Sequence, residues 1–279
     1  MEELTGYEDC NFRLSDIIWE TGSGPSKAIL KVSNPLEAKC DQNIDFQIKF
    51  CRMLNEKGIS CPTTIKRLDG REWAREEIAE GVSVGHIPYI AVEHRRGILK
   101  EMKLLLEQSI ISKEKAKLVA ECLEEFDNRI AKHRELFETG LIHSDINETN
   151  VLMIERNGHK KITGLLDFGD VHESFRIVDI ASTVLYLYLS DKQKQGVESL
   201  TNGVLEGYHR VREVPDCTHL ITAMKARLSC SLIYGLRTAR LNFRGGSVDY
   251  VLRTQSNGWS VLQELHHGDW RKINVNDSN

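Results

Sequence analysis

The sequence predicts an α+β chain in two lobes, a small strand-bearing lobe with one helix followed by a larger helical lobe. Three observations predict it. Strand-like runs separated by a turn lie before residue 35, apolar residues recur at helical spacing after residue 112, and a hairpin signal interrupts the helical part between Asn150 and Asp167.

In chain order, "CNFRL" and "KAILKV" read as strands, with Gly22-Ser23-Gly24-Pro25 as the turn between them. "IDFQIKFCRMLNEKG" is amphipathic and closes at Gly58, a residue suited to a helix C-cap. Arg71–Glu93 has no clean period, and the division into residues 1–93 and 94–279 is placed at its end. Ser112 is an N-cap for a helix from Lys113. Leu118, Val119, Cys122, Leu123, Phe126, Ile130 and Phe137 then recur three and four apart, and Gly140 is read as the helix end. A loop, "LIHSDINETN", leads into a β-hairpin turning at Asn157-Gly158. From Phe175 to about Leu265 the pattern is mostly helical, and the polar tail from His266 is expected to fray.

Composition removes several function classes. Lys plus Arg is 37 against 41 Asp plus Glu, a net charge of −4, which lacks the basic footprint of a nucleic-acid binder. The most apolar stretch, Ile177–Leu189, is too short to span a bilayer and contains Asp179, so no membrane association is expected. No basic-plus-apolar leader opens the sequence, and the 7 cysteines contain no Cys-x-x-Cys pair, so free thiols in a reducing, cytoplasmic setting are expected.

The chemistry-bearing residues surround the hairpin. Asn150 begins its first strand and Asp167 ends its second, so antiparallel pairing brings an amide oxygen and a carboxylate to one point. Hard oxygen ligands of this kind suit Mg²⁺ that keeps positions for water and phosphate. Asp145, five residues before Asn150, lies near that point and can accept a proton from an attacking hydroxyl. A base, two metal ligands and an open metal position describe phosphoryl transfer. His-x-Asp-x-x-x-x-Asn followed by Asp-Phe-Gly is the catalytic-loop and metal-loop pattern of protein-kinase-like folds. Such a fold needs a strand lysine for the phosphates, and Lys31 is the candidate, with Asp45 on the next helix as its partner. His143 is read as shaping the loop, Asp170 as biasing charge at the metal, and Asp179 as a first-turn residue of its helix.

"IHSDINETNVLM" with "GLLDFGDVHESFRIVDIAST" resembles the aminoglycoside phosphotransferase and choline kinase superfamily of small-molecule kinases. "GYEDCNFRL", "AILKVSN", "ARLSCSLIYGLRTA" and "DYVLRTQSNGWSVLQEL" extend the resemblance to its hydroxylysine kinases. The resemblance implies a two-lobed protein-kinase-like fold, with residues 1–93 as the nucleotide-binding lobe and 94–279 as the catalytic and acceptor-binding lobe. It implies transfer of the γ-phosphoryl of GTP, or ATP, to the side-chain hydroxyl of 5-hydroxylysine, a small-molecule acceptor. Asp145 would be the base, Asn150 and Asp167 would hold Mg²⁺, and Lys31 would hold phosphates. The segment Tyr7–Phe12, with Tyr7 and Asn11, would cover the nucleotide. Arg237, Tyr234 and Asp170 would contact the acceptor, an Arg being suited to an amino-acid carboxylate. Residues 63–93 are too few for the remaining small-lobe strands and hinge, so a shortened small lobe is expected. Two rival readings accompany this one: another hydroxylated amine such as choline or ethanolamine as acceptor, or an inactive kinase-like binding protein.

Overall fold

A computed structural model describes residues 1–4, 9–19, 22–33, 41–74, 95–190, 194–241, 248–249 and 252–270. The division expected at 93/94 lies outside them, as does Tyr7.

Three antiparallel strands form the first sheet in the order β1 (Glu2–Leu4), β2 (Cys10–Ser15) and β3 (Lys27–Val32). The β2–β3 register sets Asn11 opposite Lys31, so the two side chains share a face. The turn is held by the Trp19 indole, which donates to the Pro25 carbonyl at 2.9 Å. Gly24 is required there, because a Cβ would lie 2.4 Å from the Trp19 ring nitrogen. The sequence reading did not anticipate β1.

Helix α1 (Asp41–Glu56) ends as expected, with Gly58 at φ +83°. Its Phe50 meets Phe168 edge to face at 5.8 Å, which ties the helix to the loop carrying Asp167. The chain after α1 docks on the second lobe through the Leu165 N–H, which donates to the Ser60 carbonyl at 2.9 Å.

The remaining elements are α2 (Arg95–Glu107), α3 (Lys113–Arg129), a 3₁₀ turn over Ala131–Leu136, β4 (Thr139–Ile142), β5 (Val151–Arg156), β6 (His159–Leu165), β7 (His172–Phe175), α4 (Arg176–Leu189), α5 (Val197–His209), α6 (Leu220–Leu241) and α7 (Gln255–His267). Ser112 caps α3 through the Lys115 N–H. The β5–β6 hairpin turns at Asn157 (φ 52°) and Gly158 (φ 76°), the pair of positive φ values a type I′ turn needs.

The expected helix to Gly140 is corrected. α3 stops at Arg129, Ile130 leaves helical geometry, and Thr139–Ile142 is a strand paired with β7. Ile130 and Phe137 are buried in the same core as the α3 face, so their apolar spacing reports burial rather than helix continuation. Gly140 serves a close approach, since a Cβ there would fall 2.4 Å from the Arg176 guanidinium. The fraying expected from His266 to Asn279 is corrected as far as Trp270, and residues 271–279 lie outside the described residues. His266 is in α7, with Nδ1 3.7 Å from Cys122 Sγ on α3, and the Trp270 indole donates to the Leu265 carbonyl.

The core is centred on α6, which packs against α2, α3, α4 and α7. Because α6 is buried nearly all round, its charged residues need partners. Lys225 donates to Glu125 of α3 at 2.5 Å, and Thr222 adds a second hydrogen bond to the same carboxylate. Burial alone would raise the Glu125 carboxyl, but the hydrogen bonds from Lys225 and Thr222 outweigh it and hold the pKa below the ordinary glutamate value. A carboxyl depressed in the folded state contributes stability above its unfolded pKa and loses it as pH falls through the folded one. Glu125→Gln is therefore expected to lose about 3 kcal/mol at neutral pH and to unfold with a shallower dependence on acid pH. Equal acid limbs for variant and wild type in denaturant titrations would remove Glu125 from this role.

Candidate active site

β4 and β7 carry the chain into the site, and the β5–β6 hairpin closes it. Leu166 N–H donates to the Asn150 carbonyl at 2.9 Å just beyond the strand ends, so Asn150 and Asp167 are neighbours across the hairpin base. The loop between β4 and β5 is cross-tied. His143 Nε2 bonds the Leu166 carbonyl at 2.9 Å and its Nδ1 faces the Asp145 N–H at 3.4 Å, which defines Nε2–H as the donating tautomer. His143 thus shapes the loop, as read from sequence. Ser144 adopts φ 62° and Asp167 φ 61°, left-handed conformations that turn both loops sharply.

Asp179 does more than sit in the first turn of α4. Its Oδ1 accepts the Ser144 N–H at 2.8 Å, and the His143 N–H adds to it. Burial nevertheless pushes its carboxyl above the ordinary aspartate value.

Asp145 is held from both oxygens. Oδ2 accepts from the side-chain amides of Asn147 and Asn150, each at 3.0 Å. Oδ1 pairs with Arg227 of α6 at 3.2 Å, and Arg227 Nε donates to the Ser144 carbonyl at 3.2 Å. Arg227 is only 1% exposed. Its guanidinium carbon lies 5.3 Å from the Tyr186 ring centroid, and its buried Nη1 has no hydrogen-bond acceptor among the described residues. Burial opposes the Arg227 charge, and Tyr186 and Asp145 outweigh it. The Tyr186 hydroxyl lies against Asp145 and Ser231, and burial pushes it above the ordinary tyrosine value.

Asp167 keeps a solvent-exposed side, but the protein packed around it desolvates its carboxyl and pushes it above the ordinary aspartate value; Lys31 opposes this, and Asp145 and Asp9 add to it. Lys31, Asp9, Asp145 and Asp167 thus form one electrostatic neighbourhood where the small sheet meets the hairpin. The metal reading fits this arrangement. The amide nitrogen of Asn150 is committed to the carbonyl and carboxylate of Asp145, which leaves its oxygen for a cation. Asp167 is a desolvated carboxylate that a cation would relieve. Among the described residues no three His, Cys, Asp or Glu side chains form a metal cage, and a Mg²⁺ held by few protein ligands needs none.

Other expected residues have different neighbours. Lys31 Nζ pairs with Asp9 at 2.9 Å, while Asp45 accepts the Trp73 indole N–H at 2.9 Å. Arg237 is 7% exposed and lies 3.5 Å from Glu101 of α2. The Tyr234 hydroxyl is close to Gly97 of the same helix. Asp170 sits at the site, its carbonyl accepting from the Ser144 hydroxyl at 3.3 Å and bonded to His172 Nδ1 at 2.7 Å. Sequence reasoning missed Arg227, Tyr186, Asn147 and Asp9. Asn147 and Asp9 lie inside recognisable segments and were within reach, whereas Arg227 and Tyr186 come from helices 40 or more residues downstream and carry no local signal.

Residues 86–214 match the phosphotransferase enzyme family. Over 95% of its length the chain is 22% identical to the hydroxylysine kinase of Mus musculus and covers 84% of that protein. Among solved structures it resembles a microcompartment-associated aminopropanol kinase, with a TM-score of 0.64 at 13% identity, covering 94% of this chain and 91% of that one. It also resembles an amicoumacin kinase bound to AMP-PNP and Ca²⁺, with a TM-score of 0.61 at 17% identity, covering 93% and 87%. No described helix is long and apolar enough to cross a membrane. The chain thus has the protein-kinase-like fold of these kinases, and its likeness to hydroxylysine kinases and to the phosphotransferase enzyme family supports a kinase acting on an alcohol.

Proposed function

We propose that this protein transfers the γ-phosphoryl group of GTP or ATP to the side-chain hydroxyl of 5-hydroxylysine in the cytoplasm. The observation that carries the reading is the grip on Asp145, whose carboxylate is fixed by Asn147, Asn150 and Arg227 within the electrostatic reach of Asp167. Likeness to hydroxylysine kinase supports the acceptor.

Residues 1–93 serve as the nucleotide lobe and 94–279 as the catalytic and acceptor lobe. Lys31, set by Asp9, takes the nucleotide phosphates, and the segment around Tyr7 and Asn11 covers them. Asn150 Oδ1 and the Asp167 carboxylate hold Mg²⁺, which when bound neutralises charge on the phosphates. Asp145 orients the acceptor hydroxyl and takes its proton as the new O–P bond forms and the bond from the γ-phosphorus to the β-bridging oxygen breaks. The nucleoside diphosphate leaves. The contacts of Arg237 and Tyr234 with α2 support a packing role for both.

The test is diphosphate release by purified protein with Mg²⁺, GTP or ATP, and 5-hydroxylysine, lysine, choline or ethanolamine. Turnover with hydroxylysine and none with lysine is the expected result. Turnover with choline or ethanolamine alone would replace the acceptor, and no acceptor-dependent turnover with any nucleotide would overturn the reading.

A further inference from the structure

A small pocket of about 80 Å³ opens beside the catalytic loop, between the end of α4 and the start of α7. Tyr186 forms part of its wall and also lies against Asp145, so the pocket adjoins the proposed base. Two opposite charges stand at its lining, Glu148 from the catalytic loop and Arg253 from the turn before α7. Their closest approach is 3.7 Å, beyond hydrogen-bonding range, and both side chains are exposed. Such a pair contributes little to folding, and its members retain hydrogen-bonding capacity for a ligand. Ser190, Thr254 and Ser256 add polar lining.

We propose that this pocket reads the α-amino-acid head group of the acceptor, with Arg253 taking the carboxylate and Glu148 the α-ammonium. An α-amino-acid zwitterion presents both charges on groups bonded to one carbon and would exchange partners with the ion pair without leaving either charge unmatched. The guanidinium fork matches a carboxylate in two-point contact. The volume is about half that of the ~150 Å³ cavity that admits benzene, which suits a head group and excludes a sugar ring. The acceptor's side chain would run from the pocket past Tyr186 to bring its hydroxyl to Asp145. Choline and ethanolamine carry no carboxylate and leave Arg253 without a ligand.

This inference deepens the proposed function and rests on it. Its test compares 5-hydroxylysine with 1,5-diaminopentan-2-ol, which lacks only the carboxylate, in wild type, Arg253→Gln and Arg253→Lys. Arg253→Gln is expected to raise the KM for hydroxylysine about 10- to 100-fold while leaving the nucleotide KM and the diamine kinetics unchanged. Arg253→Lys is expected to restore part of the loss. Equal effects of Arg253→Gln on both compounds, or none on the hydroxylysine KM, would overturn the pocket while leaving the kinase reading intact. Should no acceptor turn over, calorimetric titration of hydroxylysine into wild type and Arg253→Gln with AMP-PNP and Mg²⁺ decides separately. Binding lost in the variant supports the pocket, and binding absent from wild type or equal in both overturns it.

Discussion

Asp145→Asn is expected to lower kcat by about 10² to 10⁴-fold and to leave nucleotide binding unchanged. The substitution keeps the shape of the side chain and removes the proton acceptor. It also puts an amide where Asn147, Asn150 and Arg227 all present donors, so part of the loss is expected to come from misorientation of the loop. Asp167→Asn is expected to behave differently. The carboxylate it removes lies in the field of Lys31, and its proposed work is holding Mg²⁺. The variant should therefore need at least about tenfold more Mg²⁺ for nucleotide binding. Isothermal titration with AMP-PNP over a Mg²⁺ series, beside steady-state rates, separates the two roles. Wild-type turnover in Asp145→Asn would remove it as the base, and an unchanged Mg²⁺ requirement in Asp167→Asn would remove it from the metal site.

Arg227→Met is expected to destabilise the protein by about 3 to 5 kcal/mol and to abolish turnover. The guanidinium is almost wholly buried and is shared between the Asp145 carboxylate, the Ser144 carbonyl and the Tyr186 ring. Methionine fills much of the volume but leaves a carboxylate in a partly dry site with its cation gone. The diagnostic measurement is a double-mutant cycle by denaturant unfolding. In an Asp145→Asn background the same substitution should cost about 1 to 3 kcal/mol less, because no uncompensated charge remains. Additive costs would show that Arg227 acts by packing alone. Arg227→Lys provides a further distinction, since one ammonium cannot hold Asp145 and Ser144 together. It should recover stability more fully than turnover.

The reach of Arg227 also explains what a linear reading of this chain can find. The local elements were legible where a short-range rule decides them. Ser112 caps α3 because its hydroxyl meets an N–H three residues on, Gly58 ends α1 because it tolerates positive φ, and Asn157-Gly158 turns the hairpin for the same reason. The hairpin then implies that Asn150 and Asp167 meet, since antiparallel pairing joins the two strand ends. The sequence alone therefore determined the two-lobed α+β order and the approach of Asn150 to Asp167 across the hairpin base.

Tertiary structure decided the rest. The apolar spacing from Leu118 to Phe137 looks like one helix, but burial in a shared core imposes the same spacing on a helix, a 3₁₀ turn and the approach to a strand. Lys31 took Asp9 at 2.9 Å while Asp45 met Trp73, and which acid reaches a strand lysine depends on three-dimensional approach rather than on helix position. Arg237 stands on the same helix as Arg227, yet it pairs with Glu101 of α2 while Arg227 reaches Asp145. Composition cannot distinguish them, because ten residues along a helix buried on all sides face different neighbours. A buried charge is held by whatever partner the packing brings within a few ångströms, and that distance exists only once the chain is folded.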